Sequence, residues 1–414
     1  MAGTMRNVYV AGVGMTPFNR HLDKTYAQLT SVAVREAMAD AGCEVTHVDM
    51  AIYANVAQAS MVNEQVVPGE FALRGLGFTG LPVFNVENAC ASSSTALNIA
   101  STYIATGQAD VVLVTGTDKM YVEDRARRMA MFSQPLDLEE ARKYLEAYQG
   151  EFIEAPPAQN PGEQGSVLMD FYSAQAKLHM KRFGTTREQL AAIAAKNHMH
   201  SVHNPLAQYR DPMTVEQVLA AKEVAWPLTV PMCAPISDGS AAAILCSDEG
   251  LRRLRGAVPV KVLASVIRTG SDRKAYDYEK HVTRLAAQRA YEIAGVGPAD
   301  LSVVEVHDAS AFGELGEIEA LGLCPIGEGG PFSASGATAL GGKVPVNTSG
   351  GLECRGHPLG ATGLAQINEL VTQLRGRAGA RQVEGARIGL AQNGGGFIGV
   401  EEAVDCLTIL ARVD

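Results

Sequence analysis

No stretch of this sequence is apolar for the roughly 18 residues that a bilayer crossing needs, so no membrane span is expected. Positive charge is scarce: 35 Lys and Arg stand against 45 Asp and Glu, a formal net charge of −10. That balance argues against nucleic acid and anionic membrane as partners, because both call for a basic face. The 7 cysteines form no Cys-x-x-Cys pair and no His/Cys ligand spacing, and their number is odd. Neither a disulfide framework nor a metal site is therefore expected. The N-terminus lacks a basic region followed by an apolar stretch and a small-residue cleavage site, so the expected setting is the reducing cytoplasm. A phosphate loop is missing too. Gly12-Val13-Gly14 runs into Met15-Thr16-Pro17 without the third glycine of a dinucleotide fingerprint, and no permanently bound cofactor is expected.

What is present is an ordinary globular composition, 47% hydrophobic and 19% charged over 414 residues, enough for two or three core-bearing units. Short apolar runs at Val8–Ala11, Met50–Tyr53, Val111–Val114, Val303–Val306 and Ile388–Ala391 read as buried parallel strands. Helical stretches such as Thr25–Ala41 and Leu364–Leu374 separate them, which makes the chain α/β. In each half a turn plus helix (Cys90–Ala105; His357–Leu374) leads into an apolar strand ending in glycine. Residues 121–227 differ in character, with the charged piece Glu139–Arg142 and prolines at 156, 157 and 161. Thr185 and Glu188 there have capping-box spacing, and the whole segment reads as an inserted covering domain.

Two segments carry chemistry. An apolar run, Leu81–Val86, delivers Cys90 into Ala91-Ser92-Ser93-Ser94-Thr95, where a helix start would favour a thiolate and lower the thiol pKa. A cysteine taken at random is more often a small buried hydrophobe. The second segment, Asn347 to Gly363, sets His357 just before Pro358, a residue suited to the first helical position, so the imidazole stands at a loop-to-helix junction able to take a proton from a facing thiol. The glycines around it mean that the backbone comes close to another element or a ligand.

With these motifs the chain resembles the thiolase superfamily. The resemblance rests on the Cys90 stretch, Gly-His-Pro-Leu-Gly-Ala-Thr-Gly from 356 to 363, and Gln392-Asn393-Gly394-Gly395-Gly396. Val306-His307-Asp308-Ala309-Ser310 and the opening Val10-to-Phe18 segment look like its sterol-carrier-protein-type branch. The resemblance implies duplicated βαβαβαββ halves in a five-layered αβαβα arrangement with an inserted loop domain. The expected division is residues 1–120 plus 228–255, an insertion at 121–227, and 256–414. It implies that Cys90 attacks an acyl-CoA thioester and His357 takes its proton. One oxyanion hole would join the N–H groups of Cys90 and Gly395; the other would join His357 with His307. Met169, Ala234 and Ser349 would contact the coenzyme A thioester arm. Arg125, Arg127, Arg128, Lys181 and Arg182 are the cations available to its phosphates, although a charge run is usually a solvated face. Asp308 is expected to orient a histidine or cap the next helix, capping being the commoner role.

One departure stands out. Thiolases carry a second cysteine at the position of Asn393, or, in the sterol-carrier-protein branch, at that of Ala309, and this chain has it at neither. An asparagine exchanges no proton in the ordinary pH range, so His307 is the natural substitute. Cys354, three residues before His357, reads as structural. Three functions stay open: a coenzyme A-dependent C-acyltransferase acting on 3-oxoacyl-CoA by thiolysis or reverse condensation; a retro-aldol lyase on a 3-hydroxyacyl-CoA with a small zinc-ribbon/OB-fold partner; and a noncatalytic thioester-binding subunit. A homodimer or dimer of dimers is expected from the family.

Overall fold

The computed structural model describes residues 5–62, 66–130, 138–158 and 167–413. Asn160-Pro161, in the inserted segment, lies outside them. Among the described residues there are eleven strands: β1 (Val8–Met15), β2 (Met50–Ala54), β3 (Val83–Val86), β4 (Val111–Lys119), β5 (Glu223–Ala225), β6 (Leu228–Thr229), β7 (Asp238–Cys246), β8 (Val260–Thr269), β9 (Val303–Glu305), β10 (Ile388–Ile398) and β11 (Glu401–Arg412). The helices that frame the site are α1 (Tyr26–Ala41), α2 (Ser92–Ala105), α3 (Arg125–Ala130), α4 (Val167–Phe183), α5 (Arg187–Ser201), α6 (Val282–Ala294), α7 (Ala311–Ala320), α8 (Gly351–Arg355) and α9 (Thr362–Leu374).

Nine strands form one sheet in the order β3-β2-β4-β7-β1-β8-β11-β10-β9, and β5 and β6 pair separately. The duplication is visible at the join: β1 and β8 share a ladder of three residue pairs, Val8 to Val10 against Val262 to Val260, which links the two half-sheets. Helices α2 and α9 lie side by side between the halves and touch strands of both, whereas α1 covers the outside of the first and α6 the outside of the second. This is the thiolase fold, a mixed α/β arrangement around a large central sheet.

The expectation of uniformly parallel strands is corrected. β2 runs parallel to β3 and β4, and β10 parallel to β9, but β1 is antiparallel to both β7 and β8. An unbroken apolar run reports burial on both faces and is silent about the direction of the neighbour. The inserted helix is also shifted by one residue. Thr186, not Thr185, caps α5, accepting from the Gln189 N–H, while Thr185 bonds the ring of His179 at 2.8 Å. Adjacent threonines each stand three residues before a Glu or Gln, so the spacing alone could not choose between them.

The first half needs little explanation beyond its sequence. Thr25 caps α1 in a full capping box, and Gly42 closes it in the left-handed conformation. The helix buries Leu29, Ala33, Val34 and Ala37 against the sheet. The helices of the insertion, α4 and α5, pack instead against α7 and α8 of the second half. Their apolar faces (Phe171, Leu190, Ile193) join Leu315, Leu352 and Phe397 in a single core that roofs the glycine-rich end of β10.

Candidate active site

Cys90 sits on a tight turn between β3 and α2, two residues before the helix begins. Ala89 before it is held at φ 47°, a left-handed conformation that costs a non-glycine residue about 1 kcal/mol or more and that persists where surroundings enforce it. The turn is fastened by Ser92, whose hydroxyl donates to the Ala89 carbonyl at 2.6 Å and accepts from the Asn88 N–H at 2.8 Å. His357 comes from the start of α9, which opens with a 3-10 turn (Leu359–Ala361), so Pro358 caps that turn rather than occupying its first position.

The Cys90 sulfur and one nitrogen each of His307 and His357 all lie within 4.8 Å of one another. The two rings cross edge-to-face with centroids 5.0 Å apart. Each Nδ1 is already engaged, and the partners differ. Thr362 Oγ1 donates to the Pro358 carbonyl at 2.9 Å, so at 2.7 Å it must accept from His357 Nδ1, which leaves Nε2 of His357 as a bare acceptor. Asn393 does the opposite. Its Oδ1 accepts from Ser94 Oγ at 2.9 Å, which turns its amide N–H toward His307 Nδ1 at 2.9 Å. The proton of neutral His307 is then on Nε2, so this ring presents a donor. One histidine is set up to take a proton and the other to hold an oxygen.

Burial holds both rings neutral. His307 is pushed down to about 3 by burial and by the nearby Arg355 cation, and His357 falls well below its ordinary value for the same reasons, with His307 adding to the effect. Burial also pushes the Cys90 thiol up to about 12, although the N–H of Gly396 donates to the sulfur and opposes the rise. The thiolate expected from the helix start is therefore corrected: the resting site pairs a thiol with a neutral imidazole, because desolvation outweighs the few donors of the turn.

These groups line one cavity of about 260 Å³, together with Met169, Ala234 and Gly395. Asn393 stands behind it, fully buried, as a positioning group. Ser349 is elsewhere: also fully buried, it donates to Glu305 Oε2 at 2.6 Å and takes no part in the lining, because Glu305 and Arg355 form a buried pair that needs its hydroxyl. Asp308 does cap a helix, but not the next one. It accepts from the Leu352 N–H of α8 at 2.7 Å, whereas α7 is capped by Ser310. Cys354 is buried outside the cavity, while Cys233 lines it with its thiol donated to the Thr229 carbonyl at 3.5 Å.

Of the candidate phosphate-binding cations, Arg125, Arg127 and Arg128 lie on α3, the helix that brings Met129 to the cavity wall. Lys181 and Arg182 lie roughly 18 Å along α4 from Met169 at 1.5 Å per residue. There they are held by the Gly150 carbonyl and by the rings of Tyr276 and Tyr278, respectively. Sequence reasoning missed Thr362, Gly396, Cys233 and Glu402. Of these, Thr362 and Gly396 lie inside the quoted motifs, and Cys233 and Glu402 do not.

The site thus sets a cysteine against a proton-accepting and a proton-donating imidazole, where the two halves of the α/β fold meet. The chain belongs to the thiolase family: the thiolase N-terminal domain matches residues 8–225 and the thiolase C-terminal domain-like family matches residues 264–408. It is 38% identical over 403 residues to sterol carrier protein 2 of Homo sapiens, covering 94% of this chain and 70% of that protein. It is 37% identical to an acetyl-CoA acetyltransferase of Methanothermobacter thermautotrophicus over 397 residues, 95% of this chain and 97% of the relative. The solved structure of the Ltp2-ChsH2(DUF35) aldolase shares its fold with a TM-score of 0.76 at 24% identity, covering 99% of this chain and 98% of that one. Among the described residues no helix is long and apolar enough to cross a membrane.

Proposed function

We propose that the protein is a coenzyme A-dependent C-acyltransferase that cleaves a 3-oxoacyl-CoA by thiolysis, or forms one in reverse, through an acyl group carried on Cys90. The observation that carries this reading is the opposed protonation of the two histidines around the sulfur. His357 Nε2 accepts the thiol proton as sulfur attacks the carbonyl, which removes the need for a preformed thiolate. The oxyanion of that step is met by the N–H groups of Cys90 and Gly395, and His307 Nε2–H with His357 serves the thioester oxygen of the carbon nucleophile. Met169 and Ala234 on the cavity wall support a pantetheine arm reaching in past α3, the helix that carries Arg125, Arg127 and Arg128 and lends Met129 to the lining. The cavity is small and apolar apart from these groups, which suits a desolvated acyl chain.

A second copy of the chain is the proposed partner. Strand β3 is one of the two edges of the nine-stranded sheet, and Phe84 on it is 38% exposed, as an interface strand would be. A zinc-ribbon/OB-fold partner belongs to the lyase alternative. Incubation with acetyl-CoA tests the acyltransferase reading: an acetyl adduct forms on the wild type and none on Cys90→Ala. Cleavage of a 3-hydroxyacyl-CoA without any adduct would favour the lyase.

A further inference from the structure

The missing second cysteine leaves the carbon half-reaction without an obvious proton donor, and the cavity wall offers few replacements. Asn393 has both ends of its amide committed. His307 presents a proton on Nε2, but its Nδ1 is occupied and burial keeps the ring from charging near neutral pH, so it holds an oxygen rather than shuttling a proton. The Cys233 thiol is turned to the Thr229 carbonyl and burial pushes it upward. Tyr172 is raised well above its ordinary value by burial and by Glu402. Among the described residues that line the cavity, Glu402 is the one carboxylic acid.

Glu402 reaches the cavity because position 394 has no side chain. A Cβ on Gly394 would stand 2.6 Å from Glu402 Cγ, so the glycine run, besides bringing the backbone to Cys90, opens a window through β10 for this side chain. Although Glu402 is 92% buried by its 8% exposure, its Oε2 has no hydrogen-bond partner. Such a group either carries a proton or awaits a ligand that brings one. Its surroundings hold more acids than cations. Glu317 of α7 and Asp405 of β11 are buried with one oxygen each unpartnered. His281 before α6 accepts the Thr283 N–H at Nδ1 and so turns Nε2–H to Glu402 Oε2 at 3.8 Å. Tyr172 of α4 borders the same space, and the one nearby cation, Arg273, is spent on Glu401, which also accepts from the Ser271 and Val282 N–H groups. Glu402 also borders a second, smaller cavity of about 60 Å³, lined by Glu317, His281 and Arg273 among others.

We propose that Glu402 is the acid and base of the carbon half-reaction, in place of the cysteine that its relatives use. The proposal rests on the acyltransferase reading above. In thiolysis the Cys90 S–C bond forms and the Cα–Cβ bond of the 3-oxoacyl-CoA breaks; the electron pair stays on Cα, and the Glu402 proton joins it to release the shorter acyl-CoA. Once the shorter acyl-CoA has left, His357 passes the Cys90 proton through solvent to the Glu402 carboxylate; the neutral ring then takes the proton of the coenzyme A thiol as its sulfur displaces the acyl group, and returns it to the Cys90 sulfur. Condensation runs the same steps backward. Burial raises the Glu402 carboxyl to about 7, with Glu401 adding and Arg273 opposing, which places the group where it serves both directions near neutral pH.

The test separates the two half-reactions. With acetyl-CoA in heavy water, the wild type is expected to acetylate Cys90 and to exchange deuterium into the acetyl methyl group. Glu402→Gln, isosteric and uncharged, should keep the Cys90 acetylation rate within about threefold and lose methyl exchange by about 100-fold or more, the usual scale for a missing acid or base. Glu402→Asp should restore part of the exchange. Wild-type exchange in Glu402→Gln overturns the assignment. So does loss of acetylation and exchange together, which would make Glu402 a structural residue. A wild type that exchanges deuterium without ever acetylating Cys90 would overturn the acyltransferase reading instead, and this assignment with it.

Discussion

Thr362 has two hydrogen bonds to make and a single proton, and this constraint decides which nitrogen of His357 is basic. The hydroxyl donates to the Pro358 carbonyl and therefore accepts from Nδ1. Thr362→Val removes that acceptor from a fully buried site and frees the ring to take the other tautomer. The acetylation rate of Cys90 should fall by about 10-fold to 100-fold, short of the loss on removing the base, and Thr362→Ser should recover it. An unchanged rate in Thr362→Val would mean that the tautomer is set by something else. That Cys90 and His357 would meet was legible, because a cysteine in a small-residue turn and a Gly-His-Pro motif are local patterns. Thr362 and Glu402 were not: a polar side chain on a helix or strand looks the same whether it faces solvent, a ring or a cavity. The Cys90 ionisation was misjudged because sequence shows the helix start but not how little water reaches it.

At the scale of elements, α2 and α9 meet so closely that side-chain volume is rationed. A Cβ at Gly363 would stand 2.0 Å from Ser94 Oγ and 2.7 Å from Asn393 Oδ1, and the Leu364 N–H reaches Ser93 Oγ at 3.1 Å. The small residues of both motifs were readable as a close-packing signal, whereas the direction of the strands was not. Burial on both faces erases the alternation that would distinguish an antiparallel strand such as β1. Gly363→Ala should cost about 1–3 kcal/mol in denaturant unfolding, the range for overpacking a tight contact. It should also slow the enzyme by disturbing the Ser94–Asn393–His307 chain of bonds. A variant as stable and active as the wild type would show that the helices can separate without harm.

Over the whole molecule the unusual quantity is the number of buried acids. Burial raises Asp118, Glu305 and Glu402 to about 7 and Asp405 to about 8. In the unfolded chain such groups ionise near pH ~4, so the stability they contribute is complete below that value and is lost as pH rises through about 7 to 8. The histidines act the other way. His200, His281 and His307 are held down to about 3, and their contribution is present above the unfolded value of about 6.5 and lost as pH falls. Between the histidine range and about pH 8 the carboxyl contribution is the main one still changing, and above that the buried thiols, raised by burial, add to the loss. The melting temperature should therefore fall between about pH 6.5 and 8.5, and Glu402→Gln should flatten part of that fall. A melting temperature that climbs over this window would contradict the buried-acid account. The symmetry of the halves could be read from repeated turn-helix-strand order, but this charge economy could not, since which acids are buried is a property of the assembled layers.

The central claim, that Cys90 carries the acyl group, is tested most directly by the mass of the Cys90-bearing peptide after brief incubation with acetyl-CoA and acid quenching. The account predicts one acetyl group per chain, located on Cys90 and removed when free coenzyme A is added before the quench. An unmodified Cys90 peptide from a preparation that is turning over a 3-oxoacyl-CoA would contradict it.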